Sequence, residues 1–165
     1  MFVGLSVVGF AGLIWVALSL PVARLGRKPV LFSLALTAAA VWSADLLTLA
    51  LKVLTDRPRP FETIPDADPL LKATVGQSMP SGHAATSFAG AVILTYLLKR
   101  AGPVIFVLAA AIAFSRVYVG VHYFSDVLVG ALVGTMVGLA YLFAFRLLPP
   151  SARARRRSEA APPAG

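Results

Sequence analysis

The sequence predicts an all-α, polytopic transmembrane helix bundle, and three observations predict it. Apolar residues make up 58% of the chain against 13% charged ones, and mean hydropathy is +0.82, values that lie outside the range of soluble domains. Five apolar runs approach or reach the roughly 20 residues that a helix needs to cross about 30 Å of hydrocarbon. The basic residues fall at alternating connections between those runs, as they do when such loops share one face of a membrane. At 165 residues the chain is short enough for one membrane domain, expected over residues 1–148, and a polar, Pro- and Ala-rich basic tail over 149–165, expected to be disordered.

The first run covers about residues 2–20. It is read as a retained helix and not as a cleaved leader, because it has no basic start, exceeds the usual apolar region of about 7–15 residues, and is followed by Arg24, Arg27 and Lys28. The second covers about residues 30–51 and carries Asp45 inside it, two helical turns before Lys52 on nearly the same face. A carboxylate at that depth pairs with a buried polar group or reaches the site from below. The third run starts after His83 and ends near Leu98, the fourth and shorter one covers 104–119, and the fifth covers 127–148. All five are read as helices, since an open strand in lipid would leave its backbone groups unpaired. Gly130, Gly134 and Gly138 recur at every fourth position of the last run, a spacing that suits close helix packing within the chain. Trp15, Trp42, Tyr96, Tyr118, Tyr123 and Tyr141 read as interface anchors or packing residues. Cysteine is absent, which excludes a disulfide framework and a thiolate metal site.

Charge sets the orientation. Arg24, Arg27 and Lys28, then Lys99 and Arg100, then Arg146, Arg153, Arg155, Arg156 and Arg157 are expected on the cytoplasmic side. The net charge of +8 is thereby explained by topology, and no nucleic-acid partner is expected. The remaining connections, residues 52–82 and about 120–125, then meet at the extracytoplasmic side. They bring Lys52, Arg57, Arg59, Lys72 and Arg116 to a face that the same rule depletes of cations, so these five call for a different explanation.

The stretches SMPSGHAATSF (78–88) and SRVYVGVHYFSD (115–126) supply one. They hold the two histidines of the chain, His83 and His122, both at the mouths of apolar segments, and the first also offers two serines as hydrogen-bonding groups. Arginine presents a planar fork of donors that grips two oxygens of a phosphate, and Lys52 adds a compact charge. If Ser81 or Gly82 opens a helix, the N–H groups of its first turn and its dipole make an anion site, and Gly82 lets the ligand approach the backbone. Two histidines divide the labour of phosphate hydrolysis into an in-line nucleophile and a proton donor for the departing oxygen. Asp126, four residues after His122, reaches one ring nitrogen if the intervening link curls into a helical turn, which makes His122 the nucleophile and leaves His83 as the acid. Glu62, Asp66 and Asp68 read as a solvated surface and not as a metal site, so no metal or other cofactor is expected.

The same residues form three motifs. Lysine, six residues, then Arg-Pro is Lys52, Arg59 and Pro60; Pro-Ser-Gly-His is Pro80, Ser81, Gly82 and His83; Ser-Arg, five residues, His, three residues, Asp is Ser115, Arg116, His122 and Asp126. The pattern resembles the type 2 phosphatidic acid phosphatase (PAP2) superfamily, which also includes vanadium haloperoxidases and glucose-6-phosphatase. The resemblance covers about residues 45–134 by motif. It implies that His122, His83 and Asp126 form the catalytic set and that Lys52, Arg59, Ser81, Gly82 and Arg116 hold the substrate phosphate. Arg57 misses the six-residue spacing from Lys52 and is set aside as a neighbour. Members usually carry six helices, and five apolar runs stand here. Membrane placement argues against a haloperoxidase.

The expected function is therefore metal-independent hydrolysis of a terminal phosphate from a lipid phosphate or pyrophosphate through a phosphohistidine. Isoprenoid pyrophosphate, phosphatidic acid and phosphatidylglycerophosphate all fit, each arriving at the outer leaflet from the bilayer. The alternative is a non-catalytic binder or carrier of phospholipid headgroups, which needs the cations but not the paired histidines. The sequence does not set the oligomeric state.

Overall fold

The computed structural model describes residues 12–65, 69–70 and 76–147. Six α-helices order the chain: α1 Leu13–Leu25, α2 Val30–Thr55, a single turn α3 Pro60–Thr63, α4 Gly82–Leu97, α5 Gly102–Tyr118 after a 3-10 turn Lys99–Ala101, and α6 Phe124–Leu147. Among the described residues there is no strand. Each expected apolar run is thus a helix over its described part. The start of the first run, the residues Asp66, Asp68 and Lys72, and the tail 149–165 lie outside the described residues.

Two boundaries differ from the sequence expectation by four residues or more. The first helix continues past Pro21 to Leu25, five residues beyond the expected end. Proline removes one backbone bond, but the turn that follows is closed by Gly26 N–H to Val22 O at 2.9 Å and Lys28 N–H to Ala23 O at 2.8 Å. The second helix runs on to Thr55, and Asp56, at φ 41°, ends it with its N–H on Lys52 O. Its 26 residues span about 39 Å, more than the hydrocarbon core, so Lys52 rides on the final turn at the rim.

The stretches Val30–Thr63, Lys99–Tyr118 and Phe124–Leu147 are long and apolar enough to cross a membrane. With 13 described residues, α1 falls short of that length, and so does α4 with 16. The central position of α4 explains its shortness: it packs against α1, α2, α5 and α6, so most of its surface meets protein and need not match the bilayer. Its sequence suits that place. Ala84, Ala85, Ala89, Gly90 and Ala91 are buried, and such small side chains let neighbouring backbones come close. The small-residue face of α6 meets it directly: a Cβ on Gly130 would stand 2.4 Å from Ser81 O, and one on Gly134 2.0 Å from Ala85 O. The glycine ridge is therefore occupied within the chain.

Trp15 is fully enclosed; its ring fills the space beside Gly90, and its Nε1–H donates to Ser87 Oγ at 3.2 Å. Large apolar side chains, Leu31, Val53, Leu54, Val104, Val107, Leu132 and Phe143 among them, point outward. A bundle with an alanine- and glycine-rich interior and an apolar exterior has lipid as its solvent, so this is a multi-pass membrane protein.

Candidate active site

The polar end of the bundle is assembled by six segments. Lys52 comes from the last turn of α2, Arg57 and Arg59 from the link to α3, Ser81, Gly82 and His83 from the start of α4, Arg116 from the last turn of α5, and Asp126 from the first turn of α6. His122 stands in the short link between α5 and α6, where Gly120, at φ 77°, turns the backbone in a conformation that favours glycine. Backbone bonds tie the segments together: Ser81 N–H to Asp126 O at 3.0 Å, Ser78 N–H to Arg57 O at 2.8 Å, and His122 N–H to Arg116 O at 3.3 Å. The three motifs, far apart in sequence, thus share one end of the fold.

His122 is 5% exposed and Asp126 is fully buried. The link curls as expected, with Asp126 N–H on Tyr123 O at 3.1 Å. The imidazole and carboxylate nevertheless stand farther apart than a hydrogen bond: Nδ1 to Oδ2 is 3.6 Å. Ser78 lies between them, donating its hydroxyl to Asp126 Oδ2 at 2.5 Å and standing 3.4 Å from His122 Nδ1. Tyr123 N–H also donates to Oδ2 at 2.9 Å, and Arg57 Nη1 pairs with Oδ1 at 2.7 Å. Burial pushes the His122 imidazole down from its ordinary 6.5 to about 4; Asp126 opposes that shift, and the positive charges of Arg59, Lys52 and Arg116 add to it. Its neutral form is therefore the one present at neutral pH.

The cations are held in different ways. Arg59 is nearly buried, with Nε on Gly76 O at 2.7 Å and Nη1 on Val121 O at 2.8 Å; these carbonyls fix the guanidinium without neutralising it. Lys52 Nζ donates to the carbonyl oxygens of Gln77 and Ser78. Arg116 is 5% exposed, and its buried Nε has no hydrogen-bond partner. Ser81 Oγ is likewise buried without one. Only three such side-chain atoms occur among the described residues, and two of them are on phosphate-binding candidates. Buried polar atoms are normally paired, so these two are suited to a ligand with acceptor oxygens. Gly82 and His83 open α4 where its dipole points outward. Among the described residues, no three His, Asp or Glu side chains gather as a metal-binding group.

Two residues play parts that sequence reasoning did not assign, and a third, Asp45, takes a place that it left open between two roles. Ser78 bonds Asp126, and Arg57, set aside as a neighbour, is the direct ion-pair partner of that carboxylate and lies 4.1 Å over the Tyr123 ring. No spacing rule could find either contact, since each joins residues tens of positions apart. Asp45 lies against the start of α4, with Oδ1 3.2 Å from where a Cβ on Gly82 would stand. The missing Cβ at Gly82 therefore leaves room for the Asp45 carboxylate.

Residues 28–148 match the family model described as PAP2 superfamily. The chain belongs to the PAP2 superfamily. Among curated relatives it is 34% identical over 106 residues to "Bacitracin transport permease protein BcrC" of Bacillus licheniformis, covering 64% of this chain and 51% of that one. It is 33% identical over 144 residues to "Lipid phosphate phosphatase 1" of Arabidopsis thaliana, covering 68% of this chain and 43% of that one. The chain thus spans about half the length of the curated relatives it matches. In fold, this PAP2 chain superposes on the crystal structure of a transmembrane PAP2 type phosphatidylglycerolphosphate phosphatase from Bacillus subtilis with a TM-score of 0.71, covering 90% of this chain and 77% of that one at 24% identity.

Proposed function

We propose that this PAP2 chain is a membrane phosphatase that removes a terminal phosphate from a lipid phosphate or pyrophosphate. The observation that carries the reading is the pair of buried, unpartnered polar atoms, Ser81 Oγ and Arg116 Nε, within a cationic site whose one enclosed histidine is held neutral. A phosphate offers acceptor oxygens and negative charge to such a site. Family membership and the phosphatase names of its relatives support the same reaction.

In the first step the His122 Nε2 lone pair attacks phosphorus, the N–P bond forms, and the ester or anhydride P–O bond breaks with its electrons on the departing oxygen. Protonated His83 supplies that oxygen with a proton. Water then attacks the phosphohistidine, His83 takes a proton from it, and the N–P bond breaks to return the lone pair to Nε2 and release phosphate. Lys52, Arg59, Arg116 and the Ser81–Gly82 helix start hold the phosphoryl oxygens as charge builds. Asp126 stabilises the imidazolium.

Orientation follows from the charge pattern. Residues 1–148 form the membrane domain, the connections bearing Arg27, Lys28, Lys99 and Arg100 lie in the cytoplasm with the 149–165 tail, and the site faces the extracytoplasmic leaflet. A headgroup can reach it there with its chains still in hydrocarbon. Isoprenoid pyrophosphate, phosphatidic acid and phosphatidylglycerophosphate are the candidate substrates.

The test is phosphate release by the purified protein from a panel of these lipids. At least one is expected to turn over, with activity retained in chelator and suppressed by vanadate, a mimic of five-coordinate phosphorus. Headgroup binding without release from any member of the panel would favour the carrier reading, and loss of activity in chelator would point to a metal mechanism.

A further inference from the structure

We propose that Ser78 is a positioning residue for His122: its hydroxyl bridges the imidazole to Asp126 and fixes the ring with the proton on Nδ1 and the bare lone pair on Nε2. The inference rests on the reading of His122 as nucleophile and adds a residue that lies outside all three motifs.

The geometry leaves the hydroxyl little choice. Ser78 is fully buried, and an ionised Asp126 accepts hydrogen bonds but cannot donate, so at 2.5 Å the Ser78 proton must lie toward Oδ2. The lone pairs of Oγ then face the remaining neighbour, His122 Nδ1 at 3.4 Å. Only a protonated Nδ1 gains from that arrangement; a bare Nδ1 would set lone pair against lone pair. The direct approach of Nδ1 to Oδ2 is longer, 3.6 Å, so the hydroxyl is the nearer of the two acceptors facing the ring. The carboxylate is also engaged elsewhere, by Arg57 Nη1 on Oδ1 at 2.7 Å and Tyr123 N–H on Oδ2 at 2.9 Å. Arg57 and Tyr123 thus anchor Asp126, and Ser78 passes its polarity to the ring.

The loop carrying Ser78 is fastened to suit. Its N–H donates to Arg57 O at 2.8 Å, and Lys52 Nζ reaches its carbonyl at 3.5 Å. A side chain held by its own backbone at zero exposure has little freedom to turn away. When the N–P bond forms, the imidazole gains a positive charge, and the Nδ1–H points at a hydroxyl backed by a carboxylate. That geometry stabilises the intermediate without moving a proton through Ser78.

The chain has two histidines, so protein labelled with [15N]histidine gives two ring signal sets, and a His83→Asn sample identifies which belongs to His122. In the unsubstituted protein His122 should show a protonated Nδ1 and a bare Nε2 at neutral pH. In Ser78→Ala that preference should give way to a tautomer mixture, with kcat down about 10–100-fold, as for partners that orient ligating histidines, and KM changed little. Ser78→Thr, which keeps the hydroxyl, should restore most of the activity. A bare Nδ1 in the unsubstituted protein overturns the proposal whatever the variants do. So does a Ser78→Ala protein with the original tautomer and undiminished kcat. The spectrum needs no turnover, so absence of phosphatase activity would count against the proposed function and leave this assignment standing on its own result.

Discussion

His122→Ala should abolish phosphate release, lowering kcat by about 10³-fold or more, while lipid headgroup binding largely survives. The cationic frame of Lys52, Arg59 and Arg116 is built by backbone and helix ends and does not pass through the imidazole, so deleting the ring removes the proposed nucleophile and leaves that frame in place. The pH profile carries a second expectation. With its folded value lowered to about 4, the imidazole is neutral well below the usual histidine range. The limb of kcat/KM assigned to the free nucleophile should therefore fall near pH 4, apart from the substrate's own phosphate ionisation near about 6. The stability link has the matching sign. The unfolded chain takes up a proton below 6.5 that the folded site refuses until about 4, so stability present above 6.5 is lost as pH falls through that window. In His122→Ala this contribution should vanish. A variant that turns over normally would remove His122 from the chemistry.

Arg116→Met should lose activity and gain stability together. Two charge-assisted hydrogen bonds to phosphate at about 1.5–3 kcal/mol each amount to about 10²–10⁴-fold in kcat/KM. Without ligand, however, Arg116 is a cation at 5% exposure whose Nε has no partner, and the fold bears that desolvation. An apolar side chain of similar length relieves it, so the melting temperature in detergent should rise by an amount corresponding to about 1–3 kcal/mol. Vanadate should raise the melting temperature of the unsubstituted protein, which supplies the missing acceptor, and should do so far less for Arg116→Met. A variant that is both less stable and still active would make Arg116 a structural residue.

Much of this site could be read from sequence because its parts sit at helix ends. Apolar length located the helices, and the polar residues that interrupt them could face only the rims. Three fixed spacings then named Lys52, Arg59, Ser81, Gly82, His83, Arg116, His122 and Asp126, and the fold brings the segments carrying them to one end. Contacts that depend on how separate segments dock were not legible. Nothing local to Ser78 or Arg57 announces Asp126, 48 and 69 residues away, and no pattern shows that the carboxylate stops short of the ring. The short α4 was equally hidden, since hydropathy cannot tell a helix enclosed by four others from one facing lipid.

The most direct test of the central claim is to mix the protein with substrate labelled in its terminal phosphate, quench in alkali during turnover, and map the label by mass spectrometry. The account predicts an alkali-stable, acid-labile phosphoryl group on His122 that forms and decays at rates consistent with kcat. Label on His83 or on a carboxylate, or turnover with no protein-bound phosphate at any time, would contradict it.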